Sequence, residues 1–147
     1  GLRTASARVF SAYGPGLRRQ VLWDLCHKAI TKGRIEAQGN GDESRDFLHA
    51  RDLCEGLALL AERAPMSGEV YNFGSGEETS IRNLAELVVR ALRLDCEIAF
   101  DGCVPKGTPL NWRADISAMK ALGFLPKVGI EDGVRSYAEW CSIELGE

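Results

Sequence analysis

The run Gly39-Asn-Gly-Asp-Glu-Ser-Arg-Asp-Phe-Leu-His-Ala-Arg-Asp-Leu53 constrains the fold more than any other stretch of this chain. A glycine-rich turn, a short strand over residues 46–49 and the start of an apolar-striped helix follow one another almost without linker. Arg45 stands at the turn, where its planar fork suits gripping an anionic ligand at the edge of a strand–helix layer. Upstream, Arg8-Val-Phe-Ser-Ala-Tyr-Gly-Pro-Gly16 is a strand-like run over residues 4–10, stopped by a glycine–proline turn.

The same alternation continues along the sequence. Val21, Leu22, Leu25, Ala29 and Ile30 form a helical stripe over residues 19–31, ended by Gly33, and a brief strand follows over 34–38. Asp52 with Glu55 predicts a capping box for a helix bearing Leu53, Leu57, Leu60 and Ala64. Residues 69–73 read as a strand, and Ser80 caps a helix with Ile81, Leu84, Ala85, Val88 and Leu92 on one face. A strand over 96–100 leads into a proline- and glycine-containing loop over 102–112. Asp115 then caps a short helix ending at Gly123, and Ile130, Val134, Tyr137, Ala138 and Cys141 mark a last helix. Strand alternating with helix over short connections predicts an α/β fold. The strands are few and short for a self-contained sheet, which predicts missing partner strands.

Composition removes several function classes. With 45% apolar and 27% charged residues, the 147-residue chain is an ordinary globular domain. A formal net charge of -3 gives no support for nucleic-acid or membrane binding. No apolar stretch approaches the roughly 18 residues of a membrane span, and the first residues lack a signal-peptide core. The five cysteines fall without a Cys-x-x-Cys pair and there are only two histidines, so no metal site is expected. Reduced, mostly buried thiols in a cytoplasmic protein are the expectation.

Each motif has a plain reading beside its functional one. Gly74-Ser-Gly76 opens like a dinucleotide fingerprint, but Glu77 and Glu78 follow where a pyrophosphate would lie, so it reads as a strand-to-helix turn. Arg45 either binds an anion or pairs with Asp42, Glu43 or Asp46. His49 reads as structural and Asp52 as a helix cap. Lys106 and Arg113 flank Trp112 and either add charge to an anion site or are solvated. Trp23, Tyr71 and Trp140 read as core.

Taken in order, these segments resemble the C-terminal part of the extended short-chain dehydrogenase/reductase family, and within it the NAD-dependent epimerases and dehydratases of nucleotide-diphosphate sugars. The resemblance rests on Arg8-Val-Phe-Ser-Ala-Tyr-Gly-Pro, Gly39-Asn-Gly-Asp-Glu-Ser-Arg-Asp-Phe-Leu-His49, Val70-Tyr-Asn-Phe-Gly-Ser-Gly76 with Ser80-Ile-Arg-Asn-Leu84, Ala114-Asp-Ile-Ser117 and Leu122-Gly-Phe-Leu-Pro126. It implies two strands of an incomplete Rossmann sheet plus a small substrate-binding lobe, with residues 1–147 the C-terminal, substrate-binding portion. It also implies that Arg45 binds the nucleotide diphosphate and that Gln20, Val21 and Leu22 border the sugar and base, with residues 34–37 lining the base. Ser11 stands where the family usually has an asparagine touching substrate. Lys106 loosely replaces a family arginine near Pro105. The glycine fingerprint for NAD and the Tyr-x-x-x-Lys pair are missing: the fourth residues after Tyr13, Tyr71 and Tyr137 are Leu17, Ser75 and Cys141. NAD is therefore expected in a longer parent enzyme and not in this portion, which alone is expected to be inactive. Unpaired strand edges imply self-association, or a homodimer of the parent. The competing expectation is a non-catalytic nucleotide-binding or interaction module on the same lobe.

Overall fold

A computed structural model describes residues 1–104 and 106–146. In chain order the elements are β1 (Thr4–Val9), β2 (Ser11–Tyr13), α1 (Gln20–Lys32), β3 (Arg34–Ala37), β4 (Ser44–Arg45), β5 (Phe47–His49) and α2 (Ala50–Arg63). They continue with β6 (Ser67–Phe73), β7 (Thr79–Ser80), α3 (Ile81–Leu92), β8 (Glu97–Phe100), α4 (Ser117–Ala121) and α5 (Ile130–Glu144). The expected α/β class is what forms. Its strands associate only in pairs: β1 with β6, β2 with β5 and β3 with β8 in parallel, and β4 with β7 antiparallel. Parallel pairing demands long crossovers, and the helices supply them.

One expected strand becomes two. The ladder of β1 runs alongside β6 up to Val9 opposite Phe73, and the Phe10 N–H still bonds the Phe73 carbonyl at 2.9 Å. The next amide, Ser11, donates instead to the Asp46 carbonyl at 3.1 Å, and the chain changes partner to β5. Those two bonds pass one extended segment from β6 to β5.

Two apolar cores follow from the helix stripes. The larger gathers Leu22, Leu25 and Ala29 of α1, Leu84 and Val88 of α3, and Val134 and Tyr137 of α5 against Ile35 and Phe47. Each fully buried side chain of this size contributes about 1.5–3 kcal/mol. The smaller core places Leu48, Leu60, Tyr71, Phe73, Met119 and Phe124 between α2, β6 and α4. Gly56 lets α2 sit directly on two rings: a Cβ there would lie 2.8 Å from Phe73 and 2.9 Å from Phe124.

Capping follows expectation at α3 and departs from it elsewhere. Ser80 Oγ accepts the Asn83 N–H at 3.1 Å, as its position predicts. At α2 the cap is His49, whose Nδ1 accepts the Arg51 N–H at 3.2 Å. Asp52 lies inside the first turn, 1% exposed, and its Oδ2 accepts the Lys127 and Val128 amides at 3.0 and 2.9 Å. The capping-box expectation is thus corrected, because a long-range loop claims the carboxylate. Asp115 likewise stands one residue before the N-cap Ile116 and accepts the Ser117 N–H at 2.9 Å. Of the five cysteines, only Cys26 and Cys141 are buried, while Cys54 and Cys103 are exposed. No helix among the described residues is long and apolar enough to cross a membrane.

Candidate functional site

A cavity of about 490 Å³ opens where the first turn of α1, the end of β3, the Gly39–Gly41 turn and β4 meet. Val21, Leu25, Ala37 and Ile81 give it an apolar floor, and Gln20, Lys28, Gln38, Arg45 and Thr108 bring polar groups to its walls. Gln20 opens α1 with φ of 72°, a left-handed value that costs a side-chain-bearing residue about 1–3 kcal/mol. Among the described residues no side chain caps α1 and no acid occupies its first turn, while the carboxylates of Asp24 and Glu43 also line the cavity.

Arg45 is held by its neighbours on one side only. Its Nη1 donates to the Ser44 carbonyl at 2.6 Å and to the Pro109 carbonyl at 2.8 Å, and its guanidinium lies 5.9 Å from the Trp112 ring centre. Trp112 in turn rests 5.5 Å from Phe10. No carboxylate lies within salt-bridge distance of Arg45 among the described residues. Of the acids open to it in the sequence, Glu43 and Asp46 are engaged with backbone amides instead.

Glu43, 5% exposed, accepts the Asn40 N–H at 3.2 Å and the Gly41 N–H at 3.0 Å. Burial works against its charge, yet the amides of Glu43, Asn40 and Gly41 and the nearby Arg45 hold its carboxyl below the ordinary value. Asp46, 1% exposed, accepts Ser75 N–H at 2.6 Å, Ser75 Oγ–H at 2.8 Å, Gly76 N–H at 2.9 Å and Ala114 N–H at 3.0 Å. Both glycine turns are therefore filled by the chain's own carboxylates. A Cβ at Gly74 would lie 2.6 Å from Asp46 Oδ2, so the approach is as close as glycine permits. These turns do not fit a dinucleotide pyrophosphate.

The predicted site residues separate into two groups. Gln20, Val21 and Arg45 share the cavity, and Ala37 represents the expected 34–37 segment. Leu22 is 2% exposed in the larger core, a correction: one residue along a helix turns the side chain about 100°, so Val21 faces the cavity and Leu22 faces inward. Ser11, half-buried in β2 opposite Phe47, does not line the cavity. Lys106 is exposed, two residues before the lining Thr108, and Pro105 beside it lies outside the described residues. Lys28, absent from the sequence expectations, donates to Asp24 at 2.6 Å and to the Glu36 carbonyl at 2.7 Å. The stacking of Arg45 on Trp112 was equally invisible, since it joins residues far apart in sequence.

The comparisons with known proteins decide the family. The model of the NAD dependent epimerase/dehydratase family matches residues 1–74, just over half the chain. The chain belongs to that family. GDP-L-fucose synthase 1 of Arabidopsis thaliana is 38% identical over 117 residues, covering 78% of this chain and 35% of the synthase. UDP-glucuronic acid decarboxylase 6 of the same plant is 30% identical over 150 residues, 99% of this chain and 43% of the decarboxylase. Among solved structures, a UDP-glucuronic acid 4-epimerase from Bacillus cereus, in complex with UDP-4-deoxy-4-fluoro-glucuronic acid and NAD, aligns at a TM-score of 0.88 with 25% identity. That alignment covers 97% of this chain and 46% of the epimerase. The chain thus spans between about a third and a half of the length of these relatives.

Proposed function

We propose that residues 1–147 are the nucleotide-diphosphate-sugar binding portion of an NAD-dependent epimerase/dehydratase, with NAD held by other parts of that enzyme. The observation that carries this reading is the Arg45 guanidinium. It is braced on one edge by the Ser44 and Pro109 carbonyls and stacked on Trp112, and its other N–H groups have no protein partner among the described residues. An arginine so oriented presents parallel donors to phosphate oxygens without first having to be ordered. The start of α1, which has no side-chain cap, also borders the cavity, and the apolar floor suits the uncharged faces of a base and ribose. Relatives named for GDP- and UDP-linked sugars support the same ligand class.

The glycine turns filled by Glu43 and Asp46 support the second half of the proposal. On this reading the chain's own residues bind and orient the diphosphate, and hydride chemistry is assembled elsewhere. The test is a calorimetric panel of UDP, GDP, dTDP and CDP sugars against the 147-residue chain. Saturable binding of at least one is expected, and silence across the panel contradicts the proposal.

A further inference from the structure

Three buried polar atoms lie on neighbouring residues of β2 and the start of α2, outside the cavity described above. Tyr13 Oη, His49 Nε2 and Asp52 Oδ1 are all shielded from solvent, and none has a hydrogen-bond partner among the described residues. Tyr13 and Asp52 are 3% and 1% exposed. The Tyr13 and His49 rings meet edge to face with centres 5.4 Å apart, and the Tyr13 hydroxyl abuts Gly133 of α5. Asp52 lies one helical turn beyond His49, and its charge acts on both Tyr13 and His49.

The hydrogen-bonding roles of the three are fixed. His49 Nδ1 already accepts the Arg51 N–H, so the neutral ring carries its proton on Nε2 and is a donor there. Burial keeps the ring neutral by pushing its pKa down, although Asp52 acts the other way. Burial, with the charges of Asp52 and Asp132, pushes the Tyr13 hydroxyl up, so it stays a phenol and a donor. Asp52 Oδ2 is occupied by the Lys127 and Val128 amides, which leaves Oδ1 as an acceptor. Two donors and one acceptor that reach no protein partner each carry a desolvation cost of about 1–3 kcal/mol. One molecule with two acceptor sites and at least one donor satisfies all three.

We infer that Tyr13 Oη, His49 Nε2 and Asp52 Oδ1 form a binding site for a single buried water, accepting from Tyr13 and His49 and donating to Asp52. This water adds a polar link between Tyr13 of β2 and the first turn of α2, beside the ladder that already pairs Tyr13 with His49.

The experiment is nitrogen-15 NMR on the labelled 147-residue chain. His49 is expected in the Nε2–H form, with a slowly exchanging Nε2 proton that shows a nuclear Overhauser cross-peak at the water frequency. Tyr13→Phe should abolish that cross-peak and the slow exchange, and Asp52→Asn provides a second variant where the first fails to fold. An Nδ1–H tautomer overturns the inference. So does an Nε2 proton in free exchange with bulk water, or a protected one whose only cross-peaks are to protein protons.

Discussion

At the residue scale the account stands on Arg45. Truncating it removes a charged donor pair, worth about 1.5–3 kcal/mol. Arg45→Ala is therefore expected to weaken nucleotide-diphosphate binding by about 10- to 150-fold, read by calorimetry. Lys106→Ala should cost less, because an exposed lysine is a solvated point charge outside the cavity wall. His49 gives a pH dependence with a fixed sign. Burial, outweighing the pull of Asp52, lowers its folded pKa below the unfolded value of about 6.5. The unfolded chain then binds more protons in that window, so stability is complete above about 6.5 and falls as the pH drops through the folded pKa. Denaturant midpoints between pH 7.5 and 5 should fall, and His49→Gln should flatten that slope. Some of this was legible in the chain: Arg45 beside a glycine turn, and His49 as a structural residue. The partners of Asp46 and Asp52 were not, because each carboxylate is claimed by amides that only the tertiary fold brings near it.

At the element scale the helices could be read directly, since a 3.6-residue apolar period survives any tertiary context. The stripes of α1, α3 and α5 lie where Leu25, Leu84, Val88, Val134 and Tyr137 predict them. Strands as short as β4 and β7 carry no such period. They exist because Ser44–Arg45 meets Thr79–Ser80 from the far side of α2 and β6. Gly133, at the end of the first turn of α5, tests packing against propensity. Ala is the better helix former by about 0.8–1 kcal/mol. A Cβ there would nevertheless meet the Tyr13 hydroxyl and lie 2.8 Å from Cζ of a ring that is 3% exposed. Overpacking of this kind costs about 1–3 kcal/mol. Gly133→Ala is therefore expected to lower the unfolding midpoint, and a raised midpoint would show that Tyr13 yields freely. Ser80→Ala, by removing the α3 cap, should cost about 1 kcal/mol in the same assay.

At the scale of the whole molecule, the outer edges of β1 and β6 carry no strand partner among the described residues, and Val9 and Val70 are 43% and 44% exposed. Such edges template further pairing. The mean mass of the 147-residue chain in sedimentation should therefore rise with concentration, and a strict monomer would contradict that expectation. NAD titrated into the same chain should give no saturable heat, since both glycine turns are filled from within. The central claim is that one cavity, walled by α1, β3 and Arg45, takes a nucleotide diphosphate. Amide chemical-shift mapping with UDP and with GDP tests it most directly. The account predicts perturbations gathered at Gln20, Val21, Gln38, Gly39, Arg45 and Thr108 with at least one of the two nucleotides. Shifts centred on the Ser75–Gly76 turn, or none at saturating nucleotide, would contradict it.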